Sequence, residues 1–175
     1  MPALGTPASD FALPEPGTDR EWRLTDFEAE ALVVIFTCNH CPYAQAVEDR
    51  VIALAYQFRD VVDFVAISAN DIEGFPDDAP EKMAQRAREK EYPFPYLYDE
   101  SQTIARAYGA ACTPDFFLYG PKRLLAYRGR LDDNWQEPEK VQRQELRDAI
   151  EAVLTSKPVA EQQLPALGCN IKWRA

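Results

Sequence analysis

Six consecutive apolar residues, Ala31-Leu32-Val33-Val34-Ile35-Phe36, run straight into Thr37-Cys38-Asn39-His40-Cys41-Pro42. The run is rich in β-branched side chains and has no polar alternation, which predicts a strand buried on both faces, as central strands of parallel sheets are. Beyond Pro42 the period changes. Ala44, Val47, Val51, Leu54, Ala55 and Phe58 recur at three- and four-residue spacing, the pattern of an amphipathic helix. Two thiols three residues apart therefore stand where a buried strand hands over to the first turn of a helix.

The rest of the chain continues the alternation. Asp10 to Pro14 and Glu21 to Leu24, on either side of Glu15-Pro16-Gly17-Thr18, predict an N-terminal β-hairpin. Val61 to Ile67 reads as a second buried strand, followed by an Asp- and Pro-rich loop over residues 70–80 and a helix over residues 81–91. Tyr96-Leu97-Tyr98 reads as a short strand, and Ser101 to Tyr108 as a helix capped by Ser101 and ended by Gly109. Asp115 to Tyr119 and Leu124 to Arg128, joined by a turn at Gly120-Pro121, predict an antiparallel hairpin. A last helix is expected from Pro138 to Thr155, with Val141, Leu146, Ile150, Val153 and Leu154 as its buried stripe. The fold class is α/β, a central mixed sheet flanked by helices, with the domain over residues 1–156 and a C-terminal tail over residues 157–175.

Composition removes several function classes. A formal charge of -10, with basic residues interspersed among acidic ones, disfavours nucleic acid and anionic membrane surfaces as partners. The longest apolar run falls far short of the roughly 20 residues a membrane helix requires. The first residues, Met1-Pro2-Ala3-Leu4-Gly5-Thr6-Pro7, show neither a basic nor an apolar leader region, so the expected location is the cytoplasm. Thiols are held reduced there, and four cysteines in such a chain point to catalysis or metal binding rather than to a disulfide scaffold.

Thiols at this spacing can close a disulfide ring. Free backbone N–H groups and the helix dipole at a helix start favour thiolate, and sites of this type bring a Cys pKa from ~8.5 to ~3.5–7.5. The expectation is that Cys38 carries the anion and is the nucleophile, while Cys41, deeper in the turn, resolves the mixed disulfide. The alternative is half of a zinc site, but Cys112 and Cys169 are single, and His40 lies between the two cysteines, where it is poorly placed to join them around one metal. His40 reads either as a neighbour that stabilises the Cys38 thiolate or as an exposed tip residue. Cys112 and Cys169 read as additional resolving thiols or as packed, inert side chains. No cofactor and no bound metal are expected.

Phe36-Thr37-Cys38-Asn39-His40-Cys41-Pro42-Tyr43, Ala111-Cys112-Thr113-Pro114-Asp115-Phe116-Phe117 and the ending Pro165 to Trp173 together resemble the peroxiredoxin-like branch of the thioredoxin superfamily, the AhpC/TSA or redoxin type. The resemblance implies a thioredoxin-like fold and a cis peptide at Thr113-Pro114 beside the Cys pair, with Thr37, His40, Thr113 and Pro114 in support. The chain also departs from the pattern. Thr37 stands where thioredoxins carry Trp, and Leu32 stands where they bury an acid. Ile35 occupies the position of the peroxiredoxin Thr when counted from Cys38, and Arg128 or Arg130 is the stand-in for the activating Arg.

Three functions follow as expectations. The first is a thiol-disulfide oxidoreductase acting on protein or small-molecule disulfides with a thiol reductant. The second is a thiol peroxidase in which Cys38 is oxidised by peroxide and resolved by Cys41 or Cys112. The third is a module that holds a soft metal ion with the same thiols. All but the last require a sulfur that is poised as an anion and reachable from solvent.

Overall fold

The computed structural model describes residues 1–175. β1 (Ala12–Pro14) and β2 (Glu21–Arg23) pair antiparallel with Leu13 opposite Trp22, forming the N-terminal hairpin. Next come β3 (Ala31–Phe36), α1 (Pro42–Gln57), β4 (Val62–Ser68), α2 (Pro80–Glu89), β5 (Tyr96–Tyr98) and α3 (Thr103–Tyr108). The chain ends with β6 (Cys112–Thr113), β7 (Asp115–Tyr119), β8 (Leu125–Gly129), α4 (Glu145–Leu154) and β9 (Cys169–Asn170).

The main sheet has the order β5-β4-β3-β7-β8. β3 runs parallel to β4 and β4 to β5, so α1 and α2 are crossovers; β7 and β8 complete the sheet antiparallel. β3 is therefore central, and period-2 alternation divides its side chains between two cores. Ala31, Val33 and Ile35 meet Val47, Val51 and Leu54 of α1 and Leu146 and Ile150 of α4. Leu32, Val34 and Phe36 meet Ala105 and Tyr108 of α3 and Phe11 and Leu13 of the hairpin region. Both faces are covered, which is why all six residues of the run are apolar. Each large side chain so buried contributes about 1.5–3 kcal/mol. No helix is long and apolar enough to cross a membrane.

Two helix starts differ from the sequence reading. Pro138–Lys140 makes only a single 3-10 turn, and α4 begins at Glu145 rather than at Pro138. Asp133 is the cause: its carboxylate accepts the Gln142 N–H at 2.9 Å and its own N–H donates to the Arg143 carbonyl at 3.1 Å, holding that stretch out of the helix. Val141 consequently lies off the buried stripe. α3 begins at Thr103, with Gln102 rather than Ser101 before it. The Gln102 amide is taken up by the Ala69 and Lys172 carbonyls at 2.7 and 2.9 Å, and its left-handed backbone (φ 64) turns the chain.

Residues 157–175 run back across the domain. The Gln163 amide donates to the Ala126 carbonyl at 3.0 Å and its oxygen accepts the Arg128 N–H at 3.0 Å. β9 then pairs antiparallel with β6, Cys169 opposite Thr113 and Asn170 opposite Cys112. Ile171 is buried in the hairpin-side core. The Lys172 N–H donates to the Asn70 side-chain oxygen at 2.9 Å, and its carbonyl accepts the Asp71 N–H at 2.8 Å.

Candidate active site

The C-terminal end of β3 delivers Cys38, and Cys41 is the residue immediately before α1, which opens on Pro42. Proline suits the first helical position because its missing N–H would have no partner there. The loop between the two cysteines is fixed from several sides. The Asn39 amide donates to the Asp77 carbonyl at 2.9 Å, its side-chain oxygen accepts from the Tyr96 hydroxyl at 2.9 Å, and its carbonyl accepts from the Gln45 amide at 2.7 Å.

Asp78, wholly buried, anchors this loop. One carboxylate oxygen accepts the backbone N–H groups of Asn39 and His40 at 2.7 and 3.2 Å; the other accepts the Asn70 amide at 3.0 Å and pairs with His40 Nδ1. His40 is thus not a free tip. Its ring is held by Asp78 on one side and stacked on Phe75 at 5.3 Å. Cys38, His40 and Asp78 place possible metal-ligating atoms within 4.8 Å of one another. Asp78 is at the same time engaged by the Asn39 and His40 backbone N–H groups and the Asn70 amide.

Thr113 joins the pair to the opposite strand. Its hydroxyl lies 3.6 Å from Cys38 Sγ and its carbonyl 3.2 Å from Cys41 Sγ, and its peptide bond to Pro114 is cis. Cys169 packs against the cluster of Cys38, Cys41 and Ala44. Of the other candidates, Thr37 extends the β3 ladder through its N–H to the Ile67 carbonyl at 2.9 Å, and its hydroxyl makes none of the sulfur hydrogen bonds. Cys112 turns away from the pair, toward the Pro114 and Ala166 carbonyls at 3.8 and 3.7 Å, and burial pushes its thiol up to about 12. Arg128 is bound by Gln163 and Arg130 by Glu145, and neither is among the groups acting on Cys38.

The two sulfurs titrate as one unit. The Cys38 S–H stabilises an anion on Cys41, bringing Cys41 down to about 4, and hydrogen bonds from Thr113, Cys169 and the Ala44 N–H act in the same direction. Cys38 moves the opposite way: its hydrogen bond to Cys41, burial and the Asp78 carboxylate all hold its proton on. The pair thus holds one proton between two sulfurs, and the resulting anion belongs to the pair as a unit. Both sulfurs are also more enclosed than expected, Cys38 at 4% exposure and Cys41 at 0%.

Asp78, Asn70, Tyr96 and Gln45 are site residues that sequence reasoning missed. Asp78 is one of several acids in the loop over residues 70–80, and nothing local separates it from Asp71 or Asp77. Beside the pair, Tyr43, Pro114, Leu131, Trp135 and Leu167 line a small groove whose rim also carries Arg130, Asp132 and Asp133.

An uncharacterized conserved protein from Geobacillus kaustophilus is 43% identical to this chain, covering 99% of it and 94% of that protein, with a TM-score of 0.93. A hypothetical protein from Sinorhizobium meliloti is 40% identical over 100% of this chain and 97% of its own, also with a TM-score of 0.93. A secreted disulfide oxidoreductase from Mycobacterium tuberculosis shares the fold at 16% identity, covering 81% of this chain and 95% of that one, with a TM-score of 0.62. No curated protein matches. The fold is thioredoxin-like, a mixed sheet with helices on both faces and an N-terminal hairpin. The profile of the AhpC/TSA family matches residues 4–128, and the chain belongs to that family.

Proposed function

We propose that the protein is a thiol-disulfide oxidoreductase in which Cys38 attacks a substrate disulfide and Cys41 resolves the adduct. The observation that carries this reading is the placement of both sulfurs against Thr113, whose hydroxyl lies 3.6 Å from Cys38 Sγ and whose carbonyl lies 3.2 Å from Cys41 Sγ. Passing the Cys38 proton to Cys41 leaves an anion on Cys38 that the Thr113 hydroxyl can donate to, while the new Cys41 S–H donates to the Thr113 carbonyl. Cys38 thiolate then attacks one sulfur of the substrate disulfide, forming a mixed disulfide and expelling the other sulfur as thiolate. Cys41 next attacks Cys38 Sγ, closing the Cys38–Cys41 disulfide and releasing the reduced substrate.

Cys38 takes the attacking role because it is the less enclosed of the two sulfurs. The groove beside Tyr43 and Pro114 suits apolar side chains flanking a disulfide in a protein substrate. The reductant that restores the dithiol is a thiol, and the cytoplasm, with its reduced thiol pools, is the setting that supplies one. Peroxide chemistry has less support, since Arg128 is engaged by Gln163 and Arg130 by Glu145.

The test is protein-disulfide reduction in the presence of excess dithiol. Wild type is expected to accelerate it, Cys38→Ser to fall to the rate of the reductant alone, and Cys41→Ser to accumulate a covalent adduct at Cys38. Equal rates for wild type and Cys38→Ser would remove Cys38 from the mechanism.

A further inference from the structure

The C-terminal segment is built onto the redox pair through close backbone contact. A Cβ on Gly168 would lie 2.1 Å from the Thr113 carbonyl oxygen and 2.7 Å from its carbon, so only glycine lets the segment approach there. The next residue, Cys169, pairs with Thr113, whose carbonyl is the group 3.2 Å from Cys41 Sγ. Downstream, Ile171 is buried and Lys172 is held through both backbone groups, while Arg106 lies 4.1 Å over the Trp173 ring. Cys169 is thus held at a fixed position, with its side chain packed against Cys38, Cys41 and Ala44. It is also half-buried where Cys38 and Cys41 are enclosed.

We propose that Cys169 is a third redox thiol that takes over the disulfide from the Cys38–Cys41 pair and presents it to the reductant. The step rests on the oxidoreductase reading above, which supplies the oxidised pair. Cys169 loses its proton and attacks Cys41 Sγ. The Cys41–Cys169 bond forms, the Cys38–Cys41 bond breaks, and the electron pair leaves on Cys38, which takes up a proton. No net oxidation occurs; one disulfide is exchanged for another. A small thiol then attacks Cys169, the more exposed sulfur, releasing Cys41. A second small thiol attacks the sulfur of the first, expelling Cys169 as thiolate, and the two small thiols leave joined as a disulfide.

The order of events is built into the charges. Burial, and after it the hydrogen bond and charge of Cys41, hold Cys169 up to about 11 in the reduced chain. Once Cys41 is in a disulfide its two contributions are gone; burial still favours the thiol, and Lys172 favours the thiolate. Cys169 is thus easier to ionise after the pair has been oxidised than before.

The experiment uses full-length wild type, Cys38→Ser, Cys169→Ser and Gly168→Ala, each oxidised with one equivalent of diamide and mapped by non-reducing peptide mass spectrometry. Cys38→Ser is expected to form an intramolecular Cys41–Cys169 disulfide. Oxidised Cys169→Ser is expected to hold Cys38–Cys41 and to be re-reduced by glutathione at least tenfold more slowly than wild type. Gly168→Ala, with the cysteine kept but its seat removed, is expected to show the same slow re-reduction. Absence of the Cys41–Cys169 link from Cys38→Ser, or re-reduction of Cys169→Ser at the wild-type rate, would overturn the relay alone. Absence of a Cys38–Cys41 link from Cys169→Ser would overturn the oxidoreductase reading and the relay with it.

Discussion

Thr113 shows how much chemistry one residue can organise. Its hydroxyl faces Cys38, its carbonyl faces Cys41, and its backbone pairs with Cys169, so the three sulfurs are tied to a single residue of β6. The charge on the pair follows from this arrangement and is measurable. In the reduced protein, one thiolate per chain, followed by its ultraviolet absorbance, is expected to titrate with a midpoint near 4. Cys38→Ala removes the largest stabilising hydrogen bond, so the midpoint should move up toward an ordinary thiol; an unchanged midpoint would assign the depression to other groups. Asp78 carries the second prediction at this scale. Asp78→Asn leaves His40 Nδ1 without its anion and keeps the buried backbone contacts only in part, so a loss of about 1–3 kcal/mol is expected in urea unfolding.

At the level of elements, α4 and the C-terminal segment close the two sides of the sheet. Leu146 is wholly buried between α4 and the sheet, and Leu146→Ala is expected to cost about 2–5 kcal/mol, read as a lower denaturant midpoint with an unchanged slope. The elements whose burial follows a strong period were legible in the sequence: β3 from six apolar residues in a row, α1 from Ala44 through Leu54, and the β7–β8 hairpin from its turn. The α4 start was not, because the side chain of Asp133, twelve residues before Glu145, decides it. The course of residues 165–173 was not legible either. It docks through backbone pairing and one glycine contact, which leave no hydrophobic period. At the site, the Cys pair could be read from local spacing and Thr113-Pro114 from resemblance. Asp78 could not, because its contacts with residues 39 and 40 bridge a separation of 38 residues or more.

At the scale of the whole molecule, the pair links redox state to stability. The Cys41 pKa is about 4 in the folded chain against 9.0 for an unperturbed thiol. A depressed folded value contributes stability that is present above the unfolded pKa and is lost as pH falls toward the folded one. The reduced chain is therefore expected to lose stability relative to the oxidised chain as pH falls from about 9 to about 4. Asp115, which burial raises to about 6, works in the opposite sense: its contribution is present below the ordinary carboxylate range and lost as pH rises through about 6. Asp115 is common to both redox forms, so the difference between their unfolding free energies isolates the sulfur contribution. A difference that does not change over this range would contradict the shared-proton description.

The most direct test of the account is single-turnover oxidation of the fully reduced chain by glutathione disulfide, with the released thiol counted and the protein linkages mapped. The account predicts two glutathione thiols released per chain, an intramolecular disulfide containing Cys41, and a glutathione adduct at Cys38 that persists only in Cys41→Ser. Release that is equally fast in Cys38→Ser, or a persistent adduct at Cys112 in the wild type, would contradict it.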